Sequence, residues 1–182
     1  PGYFAAGVHY INYGKFIEAL PNGEKTGATF SAAEYSLNII WAYEYGRFTY
    51  GVNLKPILST FESYQSFGMA ADLGISYFSK NRHTVTSVVA RNIGSQITTY
   101  YEGAERESIP FDLQFGISQK LQHAPIRLAA TLQHLQKWDL SLPEEDNSGT
   151  TTVLKDESFT QKFMRHMVLG VELFPSPNFT LR

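Results

Sequence analysis

The chain has 182 residues, a net charge of −2 at neutral pH and no cysteine. The lack of cysteine excludes a disulfide framework, a thiol nucleophile and a cysteine metal site, and the charge gives no basis for binding nucleic acid. No run approaches the roughly 18 consecutive apolar residues of a membrane-spanning helix. The mean hydropathy alone would class the chain as soluble, but this average is unreliable for a β-barrel, in which apolar and polar residues alternate and the average conceals a membrane face.

Runs in which every second residue is apolar follow one another along the chain. They predict an all-β protein, because successive side chains of a strand point to opposite faces of the sheet. The pattern is clearest in 109–121, and the strand most at risk is 34–45, since Ser31-Ala-Ala-Glu34 resembles the capping box that begins a helix. We expect eight strands and the start of a ninth: 3–19, 34–45, 47–58, 67–79, 84–101, 109–121, 126–140, 161–174 and 178–182.

The weakest pattern is that of 84–101, where Val85, Val89 and Ile93 share a face with Ser87 and Arg91.

The connections alternate in length, which is typical of an antiparallel up-and-down outer-membrane β-barrel with tight turns at one end and longer loops at the other. The short turns are 46–47, 80–83, 122–125 and 175–178, and the long loops are 20–28, 61–66, 102–108 and 141–160. The long loops carry ten acidic and three basic side chains, whereas the short turns carry three basic side chains and no acid. This asymmetry indicates either an acidic docking rim or plain solvation of the loops. The docking candidates are Glu102, Glu105, Glu107, Glu144, Glu145 and Asp146.

The polar face of the predicted strands consists mostly of Gly, Ser, Asn, Gln and Ala, with isolated charges. The alternative fold is a soluble β-sandwich or lipocalin-like barrel. Its solvent face would normally carry many charges, because these make up about a quarter of a globular protein. We therefore favour a transmembrane barrel. Its inner charges would either pair across strands or line a passage, and we favour pairing, since a lone buried charge is costly. The lumen-facing candidates are Asn53, Lys55, Asp72, Arg91, Asp112, Gln114 and Lys120.

The sequence contains no motif that indicates catalysis. The nucleophile-elbow, phosphate-loop and dinucleotide-binding patterns are absent, and the five histidines show no metal-ligand spacing. We therefore expect no enzymatic activity, no metal and no cofactor. A small-molecule ligand is not expected either.

Several segments together resemble a known family. These are Tyr13–Phe16, Gly27–Ala32, Tyr50–Lys55, Asp72–Gly74, Arg91–Gly94 and Pro110–Gln114 followed by Gly116–Ser118. In order and spacing the chain resembles the PorV/PorQ family of outer-membrane barrels, which belongs to the type IX secretion system of Bacteroidetes. It is most similar to the PorQ-like members. The resemblance runs from Tyr13 to Arg182.

The resemblance implies a FadL-like barrel of about fourteen antiparallel strands in the bacterial outer membrane. We expect residues 1–182 to be one partial barrel domain, an internal fragment that lacks the export signal and the closing strands. The implied role is non-catalytic: anchoring or receiving secreted cargo and surface attachment proteins, with outer-membrane lipid and other type IX components as partners. The alternative role is that of a FadL-like channel for hydrophobic solutes.

Overall fold

The computed structural model describes residues 2–101, 103–140, 144–145, 151–152, 158–176 and 179–182, with the backbone alone at 144–145 and 151–152. These residues form an all-β structure with one short helix. The elements are β1 (Tyr3–Ala19), β2 (Lys25–Tyr45), β3 (Phe48–Phe61), β4 (Tyr64–Phe78), β5 (Thr84–Thr98), β6 (Asp112–Lys120), β7 (Ile126–Leu132), β8 (Glu144–Glu145), β9 (Thr151–Thr152), α1 (Phe159–His166), β10 (Met167–Ser176) and β11 (Phe179–Leu181).

Nine of these strands form one antiparallel up-and-down sheet in the order β1-β2-β3-β4-β5-β6-β7-β10-β11, and β8 pairs only with β9. The prediction of eight strands and the start of a ninth is confirmed, with β11 as the short ninth strand. Residues 34–45 lie in β2 and form no helix. Within the described part of the chain the sheet is not closed, because β1 and β11 stand at opposite ends of the strand order.

The predicted alternation of connection lengths holds only in part. The turn at 46–47 is confirmed, but the predicted long loop at 61–66 is wrong, because only Glu62 and Ser63 separate β3 from β4. Glu62 takes a left-handed φ of 56°, a conformation typical of two-residue hairpin turns. The loop predicted at 20–28 is shorter than expected, because β2 already begins at Lys25. In the connections predicted at 141–160 and 175–178, residues 141–143, 146–150, 153–157 and 177–178 lie outside the described residues.

Two predicted strands are shorter than expected. The strand predicted at 126–140 ends at Leu132, and His134 beyond it takes a left-handed φ of 56° that breaks the extended run. The first part of the strand predicted at 161–174 is instead helix α1, which Ser158 and Gln161 begin with a capping box. No helix among the described residues is long and apolar enough to cross a membrane.

The chain divides into two compact units: unit 1 (Pro1–Tyr45, Thr49–Gly74, Ala90–Phe111) and unit 2 (Gly46–Phe48, Ile75–Val89, Asp112–Arg182). In unit 1, large apolar side chains such as Leu54 and Leu73 are 47% and 48% exposed, whereas Lys55 is only 8% exposed. The buried apolar side chains of the described chain are Ala32 and Ala70 alone.

Unit 2 has the same distribution. Ile117 and Leu128 are 44% and 48% exposed, whereas Asp112 and His166 are 8% and 1% exposed. Soluble proteins bury large apolar residues and expose charged ones. Each unit therefore reverses the usual arrangement of a protein that folds around an apolar core.

Strand β5 changes the face on which its apolar side chains lie. Val85 and Val89 line a cleft of unit 2, as the sequence pattern predicts, but Ile93 is exposed and does not continue their face. The cause is Asn92, whose left-handed φ of 58° interrupts the alternation of the strand. Asparagine tolerates this conformation better than most residues. As a result, the consecutive residues Arg91 and Asn92 line the same cleft of unit 1.

Candidate functional site

The polar face of unit 1 holds a network of hydrogen bonds that we call the polar network; it consists of Asn38, Asn53, Lys55, Asp72 and Asn92. Lys55 Nζ lies 2.6 Å from Asp72 Oδ1 and also donates to Asn92 Oδ1. The Asn92 N–H donates to Asp72 Oδ1 at 2.8 Å. Asn53 Nδ2 donates to Asp72 Oδ2 at 3.2 Å and to Asn38 Oδ1 at 3.0 Å.

Regular strand geometry and one irregular residue together build this network. Asn38, Asn53 and Asp72 lie on neighbouring strands and point to the same face because of the strand alternation. The left-handed conformation of Asn92 leaves its backbone N–H free to bond to the Asp72 carboxylate. The side chains of Lys55 and Asp72 are only 11% and 17% exposed, so each charge depends on the other for compensation.

The polar network lines a cleft of about 360 Å³, which we call the first cleft. Other residues that line it are His9, Ser36, Glu34 and Arg91. Four of the predicted lumen-facing residues thus come together on one surface of unit 1: Asn53, Lys55, Asp72 and Arg91. Lys55 of β3 and Asp72 of β4 form an ion pair between strands, which is one of the arrangements expected for charges on this face.

The long connection between β5 and β6 folds back onto the same face, and we call residues 107–110 the inward segment. The Glu107 N–H donates to Gln96 Oε1 at 2.8 Å, and the buried Gln96 side chain donates in turn to Ser66 Oγ at 2.6 Å. Asn92 Nδ2 donates to the Pro110 carbonyl at 2.9 Å. The inward segment lines a second cleft of about 230 Å³ together with side chains of β2, β3 and β4.

An aromatic cluster of Phe16, Phe30 and Phe61 lies near the hairpin turns of unit 1. The ring centroid of Phe30 lies 5.3 Å from that of Phe16 and 5.1 Å from that of Phe61. Phe30 precedes Glu34 by four residues in β2, and Glu34 lines both clefts. Because side chains four residues apart in a strand share a face, the aromatic cluster lies on the polar face. The sequence pattern did not single it out.

In unit 2, Asp112 is the centre of a smaller polar cluster. The Asp112 carboxylate accepts hydrogen bonds from Gln114 Nε2 and from the His134 N–H, the second at 2.7 Å. The His134 ring nitrogen Nδ1 lies 3.3 Å from the same Asp112 oxygen. Lys120 lies elsewhere in this unit, with its Nζ 5.2 Å from the ring centroid of Phe174.

His166 is almost completely buried, with 1% of its surface exposed. It was not among the predicted site residues. Its ring nitrogens contact the carbonyl oxygens of Gln133 and Trp138 at 2.7 and 3.1 Å, and its ring stacks on Trp138. These contacts anchor the segment after β7 to the end of helix α1. The residues involved are about thirty positions apart in sequence, a separation at which no local pattern indicates contact.

The structure describes only some residues of the predicted acidic rim. Glu105 and Glu107 are exposed. Glu144 and Glu145 form strand β8, of which only the backbone is described, and Glu102 and Asp146 lie outside the described residues.

In unit 1 the polar face offers an ion pair, amide groups and hydroxyl groups beside the aromatic cluster. Among the described side chains, no group of three or more histidine, aspartate or glutamate residues could hold a metal ion. The arrangement is suited to binding or to structural support. No protein-family model, no curated protein and no solved structure matches this chain.

Proposed function

We propose that the chain forms part of the wall of an outer-membrane β-barrel and that it serves the type IX secretion system without catalysis. One observation carries the membrane part of this proposal: each unit exposes its large apolar side chains and buries polar ones. An up-and-down sheet with an apolar outer face and a polar inner face is the arrangement of a transmembrane barrel. In water the same apolar face would be an aggregation surface.

The adjacent residues Ile117 and Ser118 of β6 provide a matched test of the two faces. Both residues border a cleft of unit 2, but strand alternation points their side chains to opposite faces, and Ile117 is 44% exposed whereas Ser118 is half-buried. An arginine on the lipid face near the bilayer midplane costs about 2–4 kcal/mol, whereas a lumen position tolerates it much better. We expect Ile117→Arg to lower the free energy of unfolding from lipid vesicles by that amount and Ser118→Arg to lower it far less. Equal losses would contradict the membrane assignment.

The secretion role is supported by the resemblance to PorV/PorQ barrels and by the acidic loops. Rim charges mainly govern encounter and partner choice. We expect Glu105→Gln combined with Glu107→Gln to leave the barrel inserted while surface attachment proteins are lost from the membrane fraction. The backbone bond from Glu107 to Gln96 does not involve the side chain and should survive the substitution. The control replaces Glu44 with Gln, because Glu44 is an exposed acid at the end of β2 beside the short turn 46–47 and lies outside the long loops. Full retention of the surface proteins in the double variant would contradict the scaffold role.

The aromatic cluster supports a second candidate function, a channel for hydrophobic solutes. Three phenyl rings on the polar face offer an apolar contact surface for an acyl chain. If this function is correct, Phe30→Ala combined with Phe61→Ala will abolish binding of a fluorescent fatty acid and leave surface attachment unchanged. If the scaffold function is correct, the acidic-loop variants will change attachment and the phenylalanine variants will not.

A further inference from the structure

We propose that the first cleft of unit 1 binds a small hydroxylated oxyanion, either a carboxylate or a phosphate, through Arg91. All the residues in the argument belong to unit 1, and the inference does not depend on the secretion role. It adds a ligand class that this role does not require.

Most charges that line the first cleft have a partner. Lys55 and Asp72 neutralise each other at 2.6 Å. The Glu34 carboxylate accepts a hydrogen bond from the Ser59 hydroxyl at 3.4 Å. Arg91 differs from them: within the described part of the chain its exposed guanidinium has neither a hydrogen-bond nor an ion-pair partner. It is the cationic group of the cleft that remains open to a ligand.

Regular alternation of β5 places Arg91 on the face that lines the first cleft. Arg91 shares its parity in β5 with Val89, and the left-handed backbone at Asn92 brings Asn92 onto the same surface beside it. The side chain of Asn92 is already used by Lys55 and by the Pro110 carbonyl. A guanidinium that has no internal partner can present two parallel N–H groups to the two oxygens of a carboxylate or phosphate.

Groups that could bind hydroxyl substituents line the same cleft. His9 and Ser36 are directly opposite each other on β1 and β2, and neither side chain has a hydrogen-bond partner among the described residues. Asn53 Oδ1 is buried and likewise accepts no hydrogen bond from the described residues. The cleft volume of about 360 Å³ is within the range of about 300–1,000 Å³ that small-molecule sites occupy. An anion with hydroxyl groups therefore matches the Arg91 guanidinium and the hydrogen-bonding groups of this surface.

The test is isothermal titration of the full chain in amine-oxide micelles with two separate probes, D-glucuronate and inorganic phosphate. We expect at least one probe to give saturable binding that Arg91→Gln weakens by about tenfold or more, because a hydrogen bond to a charged group is lost. The matched control is Arg106→Gln, since Arg106 is an exposed arginine of the same unit that does not line the first cleft. Arg106→Gln should bind as the unaltered chain does.

The outcomes separate the two ligand sources. Binding of glucuronate alone assigns a carboxylate site, and binding of phosphate alone assigns a phosphate site. The proposal is overturned if neither probe saturates, if Arg91→Gln binds as tightly as the unaltered chain, or if both arginine variants lose affinity equally. Arg91→Lys keeps the charge but not the two-pronged geometry, and it should bind with intermediate affinity. Circular dichroism of each variant verifies that the sheet is intact.

Discussion

Replacing Lys55 with methionine should destabilise the fold by about 3 kcal/mol. Removing one partner of a buried ion pair typically costs about 3–5 kcal/mol, because the remaining charge stays buried without compensation. The side chains of Lys55 and Asp72 are 11% and 17% exposed, so neither is well hydrated. Asp72 would keep hydrogen bonds from Asn53 and from the Asn92 N–H. These two donors are the reason for expecting the lower end of the range.

A second substitution in the same background tests whether the uncompensated charge causes this loss. Asp72→Asn removes the charge but keeps a side-chain oxygen that can accept the hydrogen bond from the Asn92 N–H. The new amide N–H group can donate to Asn53 Oδ1, which has no hydrogen-bond donor among the described residues. We expect the Lys55→Met, Asp72→Asn double variant to recover about 2 kcal/mol, because contacting residues are not additive. As control, Lys15→Met alters an exposed lysine of β1 and should change stability by less than about 0.5 kcal/mol.

The assay is urea unfolding from lipid vesicles, followed by tryptophan fluorescence and extrapolated linearly to zero denaturant. A loss below about 1 kcal/mol for Lys55→Met would show that Lys55 and Asp72 are hydrated like a surface pair. No recovery in the double variant would show that packing of the lysine stem, and not charge, explains the effect.

Two further predictions concern the backbone of unit 1. Gly94→Ala should prevent folding, measured as loss of heat-modifiable gel migration, because a Cβ at Gly94 would lie 2.0 Å from the Met69 carbonyl oxygen; Gly7→Ala, with no atom within 4 Å, is the control that should fold. Gln96→Ala should release the inward segment and speed tryptic cleavage at Arg106, because Gln96 accepts from the Glu107 N–H. Unchanged cleavage would show that the other contacts of the segment suffice to hold it.

The strand pattern could be predicted because alternation is a local property of the sequence. The clearest run, 109–121, contains β6, and 34–45 is strand despite its helix-like beginning. Ser31 and Glu34 do not begin a helix, because both lie in β2 and pair with β1 opposite Lys15 and Ile11. Pairing with neighbouring strands outweighs a local helix signal of this kind.

The errors in the predicted fold arise at residues with left-handed backbone. Glu62 makes a two-residue turn where a loop was predicted, and His134 ends β7 early. The left-handed backbone at Asn92 moves the side chains that follow it in β5 to the opposite face from the one that alternation predicts. None of these positions is glycine, the residue that usually signals a left-handed conformation in a sequence. The sequence therefore lacked the usual indication that the extended chain is interrupted there.

The candidate site could be predicted to the extent that it depends on facing strands. Lys55 and Asp72 were expected on the inner face and do pair, because both positions follow from alternation. The third member, Asn92, could not be identified, since its contribution depends on backbone conformation. The contact of His166 with Gln133 and Trp138 depends on the fold of a long connection, which alternation does not describe.

The polar face of unit 1 changes character along its strands, and this change bears on the two candidate functions. In β2 it runs from Phe30 in the aromatic cluster to Asn38 in the polar network, eight residues or roughly 26 Å at about 3.3 Å per residue. A purely apolar solute bound at the aromatic cluster would next contact the buried Lys55–Asp72 pair and reduce its remaining hydration. Further desolvation of charges is costly. The polar network thus opposes passage of an apolar solute along this face, which favours a scaffold over a channel.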